Sequence, residues 1–212
     1  AGENIVASPY LYGGTHNQFV ISLRNLGVEC RLAKSDSAAD IAELIDDNTR
    51  AIFVESMGNP TCRVADIEVL AEVAHRNNIP LIVDNTFGAG GYLCNPFEWG
   101  ADIVTHATTK YMDGHASTIG GCIVDSGKFD WMKYADKFPG LCTPDDSYHG
   151  VTYAEKFGKE GAFITKATAQ LMRDFGSIQS PQNAFILNLG LESLHVRMKK
   201  HCENGLEVAK YL

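Results

Sequence analysis

The feature that most constrains the fold of this chain is an alternation of short apolar runs with helical patterns. Near-continuous apolar strands joined by helices are typical of a parallel sheet covered on both faces, so the sequence predicts an α/β fold in three layers with a mainly parallel sheet. Ligands of such sheets bind beyond the carboxyl ends of the strands, which makes the residues after each strand the first candidates for a site. The predicted strands are residues 5–7, 28–32, 51–55, 81–84, 103–106 and 122–124, and the first helices span about residues 17–26, 38–47 and 66–77.

The second half of the chain has a different pattern. Residues 125–158 are rich in turn formers and aromatic side chains, and because so long a loop is uncommon, part of it is expected to be functional or to pack at an interface. Helices are predicted at about residues 160–175, 181–188 and 192–212. An apolar stripe there predicts packing in a core or an interface; it consists of Leu191, Leu194, Met198, Cys202, Leu206 and Ala209.

Composition argues against several classes of protein. The net charge of the 212 residues is −8, which disfavours a nucleic-acid groove, and no apolar run approaches the roughly 18 residues of a membrane span. The six cysteines form no Cys-x-x-Cys pair and the seven histidines show no ligand spacing, so no metal site is expected. Such cysteines favour a reducing, cytoplasmic setting. An opening without Met and a helical pattern that still runs at Leu212 lead us to expect further sequence at both ends.

Two charged residues lie at the ends of neighbouring strands. Asp84 ends the run 81–84, and Lys110 follows the run 103–106, so both side chains are expected at one edge of the sheet. A carboxylate there can hold a heteroaromatic nitrogen protonated, and a lysine amine beside a pyridinium can become reactive. Taken singly, a turn aspartate and an exposed loop lysine are the ordinary interpretations, and it is their pairing that favours a cofactor site.

An aromatic ring, an amide and two hydroxyls are further candidates at this edge. Tyr12 follows the first strand, where a ring can stack on a planar cofactor and a phenol can move protons, and the glycine pair after it permits a tight turn. Asn59 follows the third strand and can donate to a cofactor oxygen, whereas Thr108 and Thr109 can donate to a phosphate. A packed tyrosine and a simple Asn-Pro turn are the alternatives.

Four segments that contain these candidates occur in one order. They are residues 8–15 (Ser-Pro-Tyr-Leu-Tyr-Gly-Gly-Thr), 55–60 (Glu-Ser-Met-Gly-Asn-Pro), 83–86 (Val-Asp-Asn-Thr) and 108–115 (Thr-Thr-Lys-Tyr-Met-Asp-Gly-His). Together they resemble the Cys/Met-metabolism enzymes that depend on pyridoxal 5'-phosphate (PLP), over almost the whole chain. The resemblance implies that residues 1–176 form the large PLP-binding domain of fold type I, which is aspartate aminotransferase-like. Residues 177–212 are then expected to be connecting helices that lead towards a C-terminal domain.

The resemblance also implies a role for each candidate. Lys110 is the Schiff-base lysine and, once freed, the base that takes the α-proton. Asp84 is implied to pair with the pyridine nitrogen, and Tyr12 to stack on the ring and handle protons. Asn59 is implied to contact the phenolic oxygen of the cofactor, and Thr109 to bind its phosphate.

Two places depart from the family pattern. Relatives usually carry Ser where Ala107 stands, and that hydroxyl binds phosphate, so either Thr108 compensates or PLP affinity is lower. Relatives also tend to carry Ala-Thr-Pro after the aromatic residue at position 87, where this chain has Gly-Ala-Gly-Gly. This second change is expected to loosen the loop beside Asp84.

Residues 138–204 most resemble the O-acetylhomoserine sulfhydrylase branch of the family. That branch implies γ-replacement on O-acetylhomoserine with sulfide or methanethiol, which gives homocysteine or methionine plus acetate. Elimination of the methionine or cystathionine γ-lyase type stays open, although methionine γ-lyases typically carry Cys at the position of Gly14. A truncated, non-catalytic PLP-fold chain also stays open. A nicotinamide-dependent oxidoreductase is disfavoured because the glycine fingerprint is absent.

Assembly and the remaining site parts follow from the same resemblance. Relatives are tetramers built from dimers with shared active sites, so a homo-oligomer is expected. The relatives' phosphate loop and their substrate-carboxylate arginine are expected outside this chain.

Overall fold

The computed structural model describes residues 2–212, so Ala1, the first residue of the predicted large domain, lies outside the described residues. Six strands of the described chain form one sheet in the order β2-β1-β3-β4-β5-β6. They are β1 (Asn4–Ala7), β2 (Glu29–Leu32), β3 (Thr49–Glu55), β4 (Leu81–Asp84), β5 (Ile103–Ala107) and β6 (Gly121–Asp125). Strands β1 to β5 pair in parallel, whereas β6 is antiparallel to β5. The predicted mainly parallel α/β sheet is therefore confirmed.

Helices connect the strands and follow the sheet. They are α1 (Gly13–Asn17), α2 (Leu23–Asn25), α3 (Ala38–Ala42), α4 (Ile67–Arg76), α5 (Pro139–Cys142), α6 (Tyr153–Lys166), α7 (Arg173–Phe175), α8 (Pro181–Glu192) and α9 (Leu194–Tyr211). Wider π-helical turns at Gln18–Ser22 and Ala167–Met172 join α1 to α2 and α6 to α7. No described helix is both long and apolar enough to cross a membrane.

One predicted helix start is wrong, and a second helix is interrupted near its predicted start. The first helix begins at Gly13, where the glycine pair was expected to form a turn, and His16 N donates to Tyr12 O at 2.9 Å as its first turn closes. Each glycine lowers helix propensity by about 1 kcal/mol relative to Ala, a cost that does not prevent the helix from starting here. Helix α6 is interrupted at Gly158, with φ of +64°, so the helix predicted from about residue 160 follows this break, and a short helical turn that begins at Tyr153 precedes it.

One face of the sheet packs against α3 and α4. The Asp66 side chain caps α4 by accepting from Val69 N at 3.2 Å, which satisfies a free amide of the first turn. The apolar face of α4 then covers β3 and β4. The buried side chains of this layer include Ile41, Ile52, Val54, Leu70, Val73, Leu81 and Val83.

Aromatic side chains cover the other face of the sheet. The loop-rich segment supplies Phe129 and Trp131, which pack with Tyr153 of α6 and Ile103 of β5. Trp131 stacks on Phe163 with ring centroids 5.8 Å apart. This part of the segment therefore packs into the core of the chain, and the three-layer arrangement is confirmed.

The last two helices are mostly exposed, and only the first of them has a side-chain cap at its start. Ser180 accepts from Asn183 N at 3.1 Å at the start of α8, where Pro181 occupies the first turn. Within α9, Met198 is the one buried residue. The C-terminal part of the predicted apolar stripe, Leu206 included, is exposed in the described chain.

Candidate active site

A cavity of about 810 Å³ opens at the carboxyl edge of the sheet. Strand β1 has β2 on one side and β3 on the other, so the chain order reverses between β1 and β3, and α/β sheets bind ligands at such switch points. The volume suits a small molecule or a cofactor. Its lining includes Tyr12, Glu55, Met57, Asn59, Asp84, Thr86, Phe87, Ala107, Thr109, Lys110, Tyr111, Ser117, Arg197 and His201.

The cavity brings together Tyr12, Asn59, Asp84, Thr109 and Lys110, which are five of the six predicted site residues. Thr108 is the exception, because its side chain is 1% exposed and its hydroxyl has no hydrogen-bond partner in the described chain. Ala107 and Thr109 line the cavity, whereas Thr108, in the turn that follows β5, does not. The expectation that Thr108 compensates for Ala107 has no support in this geometry.

Asp84 is held by its neighbour Thr86. One carboxylate oxygen, Oδ1, accepts from Thr86 N at 2.9 Å and from Thr86 Oγ1 at 2.6 Å. Thr86 Oγ1 in turn accepts from Ala107 N at 2.9 Å, which ties the end of β4 to the end of β5. Oδ2 of Asp84 has no protein partner within residues 2–212. It is therefore available to accept from a protonated ring nitrogen in the cavity.

Lys110 lies in a turn that directly follows β5. Its side chain is exposed, and its backbone closes the turn, since Lys110 N donates to Ala107 O at 3.2 Å and Gly114 N donates to Lys110 O at 2.9 Å. The turn presents the amine to the same cavity as the Asp84 carboxylate.

Arg197 of α9 lines the same cavity and is hydrogen-bonded to the main chain of this turn. Its guanidinium donates to Tyr111 O at 2.8 Å, to Gly190 O at 2.8 Å and to Met112 O at 3.4 Å. A Cβ at Gly190 would collide with Asp113 O, so the end of α8 approaches the turn backbone to backbone. The position of Lys110 therefore depends on residues far along the chain.

Tyr12 and Thr109 differ in how far their side chains are already engaged by the protein. The Tyr12 side chain is 53% exposed, which leaves a ring face for a planar ligand. The Thr109 hydroxyl already donates to Gly120 O at 3.2 Å and accepts from Gly120 N at 3.1 Å. A phosphate beside Thr109 would compete with Gly120 O for the hydroxyl proton.

Glu55 is a site residue to which the sequence analysis assigned no role. It ends β3, is paired with Asp84 of β4 in parallel register, and accepts from Tyr12 N at 2.6 Å. Burial raises the pKa of Glu55 to about 7, aided by the Asp84 carboxylate and opposed by the backbone amides of Tyr12 and Asn59. The rule that drew attention to Asp84, a carboxylate at a strand end, applies equally to Glu55. Arg197 and His201 carry no such local signal.

Two histidines near the site, His106 and His115, do not line the cavity. His115 Nδ1 lies 2.6 Å from Asp113 O, as expected for a hydrogen-bonded residue. His106 is buried and its Nδ1 has no partner in the described chain; burial lowers the pKa of His106, and the Asp84 carboxylate opposes this. Residues 2–212 contain no cluster of three or more His, Cys, Asp or Glu side chains suited to a metal.

The donor set fits PLP. The cavity offers an exposed lysine amine, a carboxylate with an available oxygen and an open tyrosine ring, which match the aldehyde, the pyridine nitrogen and the ring face of that cofactor. Hydroxyls of Thr109 and Ser117 also line it and can donate to phosphate.

Comparison with known proteins agrees with this site. A family model described as Cys/Met metabolism PLP-dependent enzyme matches residues 1–212. The chain is 50% identical over 212 residues to a homocysteine synthase of Schizosaccharomyces pombe, covering 100% of this chain and 49% of that protein. It is 46% identical over 213 residues to O-acetyl-L-homoserine sulfhydrylase 1 of Thermus thermophilus, covering 100% of this chain and 50% of that protein.

A solved structure shows the same fold. It is a provisionally assigned O-acetylhomoserine (thiol)-lyase from Campylobacter jejuni that contains a pyridoxyl-lysine monophosphate. The TM-score is 0.95 at 35% identity, over 100% of this chain and 51% of that one. The chain thus spans about half the length of the relatives that it matches.

Proposed function

Because the chain belongs to the Cys/Met metabolism PLP-dependent enzyme family, we propose that it carries the PLP site of an O-acetylhomoserine sulfhydrylase. The observation that carries the proposal is the placement of the Lys110 amine, the Asp84 carboxylate and the Tyr12 ring around one cavity at the switch point of the sheet. The names of the relatives, homocysteine synthase and O-acetyl-L-homoserine sulfhydrylase, support the substrate class.

The proposed reaction is γ-replacement. Sulfide or methanethiol takes the place of the acetate group of O-acetylhomoserine, and the products are homocysteine or methionine plus acetate. When bound, PLP supplies an electron sink for the negative charge that develops on the substrate. The protein supplies the groups that hold the reactants and move protons.

Lys110 and Asp84 carry the central tasks. Lys110 attaches the cofactor through its amine and, once that amine is free, takes the proton from the α-carbon of the substrate. Asp84 accepts a hydrogen bond at Oδ2 from the ring nitrogen and so keeps that nitrogen protonated. Thr86 fixes the carboxylate for this task through two hydrogen bonds to Oδ1.

Tyr12, Asn59 and Thr109 orient the cofactor. The open Tyr12 ring stacks on it, and the phenol can move a proton near the leaving group. Asn59 donates to the phenolic oxygen, and Thr109 binds the phosphate by exchanging its contact with Gly120 O.

Assembly and organisation are part of the proposal. We propose a cytoplasmic homo-oligomer, a dimer or tetramer with shared active sites, in which residues 1–176 form the PLP-binding domain and residues 177–212 connect to a further domain. Exposed apolar side chains on α8 and α9, such as Phe185 and Val196, support burial of these helices in a larger assembly. The six cysteines are unpaired, which suits a reducing compartment. Light scattering of the full-length protein measures the oligomer.

The decisive experiment is spectroscopic labelling followed by an assay. Full-length protein with PLP should absorb near ~420 nm, and borohydride should fix the label on Lys110. Lys110→Ala should lose both signals, whereas Lys128→Ala, which changes an exposed lysine, should keep them. Turnover should be faster with O-acetylhomoserine and sulfide than with cystathionine or methionine. A band that persists in Lys110→Ala refutes the lysine assignment, and faster elimination from methionine refutes the sulfhydrylase assignment.

A further inference from the structure

Glu55 joins two segments that the proposed PLP site needs. Its carboxylate Oε1 accepts from Tyr12 N at 2.6 Å, across 43 residues of sequence, and the backbone amide of Asn59 stabilises the same carboxyl group. The Glu55 side chain is 7% exposed and ends β3, the strand beside the switch point. We infer that Glu55 is a positioning residue that places the Tyr12 ring over the cofactor, a role that rests on the proposed PLP site.

The Tyr12 ring has few other constraints. It is 53% exposed, and Tyr12 precedes the first residue of α1, with no side-chain cap to fix that helix start. A Cβ at Gly14 would lie 2.6 Å from Tyr12 Cε1, so the ring rests directly on the backbone of α1. The ring orientation therefore follows the path of the main chain at Tyr12, and the contact with Glu55 fixes that path to β3.

The carboxyl groups of Glu55 and Asp84 lie at the same edge of the sheet but have different hydrogen-bond partners. Glu55 and Asp84 are register partners on parallel strands, so their side chains lie side by side on one face of the sheet. Asp84 is oriented by Thr86 and keeps Oδ2 towards the cavity, whereas Glu55 is oriented towards the main chain. Burial, aided by the neighbouring Asp84 carboxylate, raises the pKa of Glu55 to about 7. A carboxyl group accepts a hydrogen bond in both protonation states, so the contact with Tyr12 N does not require a charge.

Substitutions at Glu55 separate positioning from a direct electrostatic effect on the cofactor. Glu55→Gln keeps an oxygen that can accept from Tyr12 N but has no charge, whereas Glu55→Ala removes the acceptor. Positioning predicts that Glu55→Gln binds PLP within about threefold of the native affinity and that Glu55→Ala binds about tenfold more weakly, which is the effect of about one hydrogen bond.

The test uses the full-length protein and two readouts, the dissociation constant of PLP and the circular dichroism of bound PLP, which depends on how the ring is held. We expect Glu55→Ala to change the dichroic band and to weaken binding about tenfold in the native background, but less than about twofold when Tyr12→Ala is already present. Glu72→Ala, a change at an exposed glutamate of α4, should alter neither readout.

Three outcomes overturn the inference. Equal losses in the native and Tyr12→Ala backgrounds show that Glu55 does not act through Tyr12. A tenfold loss in Glu55→Gln shows that charge matters rather than the hydrogen bond, and this variant decides the question if Glu55→Ala does not fold. If Glu55→Ala binds PLP with the native affinity and gives the native dichroic band, Glu55 has no positioning role. Failure of the native protein to bind PLP would instead refute the proposed function.

Discussion

Replacing Glu55 by Gln should change how the stability of the protein depends on pH. The folded pKa of Glu55, about 7, lies above its ordinary value of 4.5. Between these pH values the folded state binds more protons than the unfolded state, so Glu55 lowers stability as pH rises through this window. Gln does not titrate. The stability of Glu55→Gln relative to the native protein should therefore increase from pH 5 to pH 8.

The size of this increase follows from the pKa difference. A shift from 4.5 to about 7 corresponds to at most about 3 kcal/mol. The carboxyl group borders an open cavity, and solvent screening there reduces the effect, so we expect about 1 kcal/mol. In Glu55→Gln, the hydrogen bond from Tyr12 N contributes to the free energy of unfolding by an amount that does not vary with pH.

Urea unfolding of the PLP-free, full-length protein at one protein concentration measures this quantity. Native protein, Glu55→Gln and the control Glu72→Gln are compared between pH 5 and pH 8. Other titrating groups, such as His75 and His106, contribute equally to all three and cancel in the differences. If the difference between Glu55→Gln and the native protein varies by less than about 0.3 kcal/mol over this range, the assigned environment of Glu55 is wrong.

Three further substitutions test the site and the core. Asp84→Asn should weaken PLP binding about 10- to 100-fold, because it removes a charged hydrogen-bond acceptor, and a titration with PLP measures this. Arg197→Ala should lower the free energy of unfolding by about 2–3 kcal/mol by removing the guanidinium hydrogen bonds to Tyr111 O and Gly190 O; Arg197→Lys should not restore it fully, since it lacks the fork of donors. Leu70→Ala, at a fully buried position of α4, should cost about 2–5 kcal/mol in urea unfolding without changing PLP affinity. Unchanged PLP affinity in Asp84→Asn would contradict its proposed role, and an unchanged free energy of unfolding in Arg197→Ala or Leu70→Ala would contradict the corresponding contacts.

The sheet was predictable because its strands are nearly continuous apolar runs, and each ends within two residues of the predicted bound. Asp84 and Lys110 were predictable for a related reason, since parallel strands bring their carboxyl ends to one edge. The helix start at Gly13 was not, because glycine favours turns locally and gives no helical signal in the sequence.

The remaining site residues depend on contacts that no local pattern encodes. Arg197 reaches the Lys110 turn from a helix near the other end of the chain, through hydrogen bonds to main-chain carbonyls that any sequence could supply. Thr108 shows the reverse case, where a residue of suitable type next to Thr109 is buried and does not line the cavity.

The hydrogen bonds of Arg197 couple the position of the Lys110 turn to the position of the start of α9. The guanidinium holds Tyr111 O and Gly190 O together, and Gly190 lets the end of α8 touch the turn directly. A tilt or shift of α9 therefore reaches the reactive amine through rigid contacts rather than through a flexible loop. A force on the exposed, C-terminal part of α9, from another domain or another subunit, would therefore displace the turn that carries Lys110.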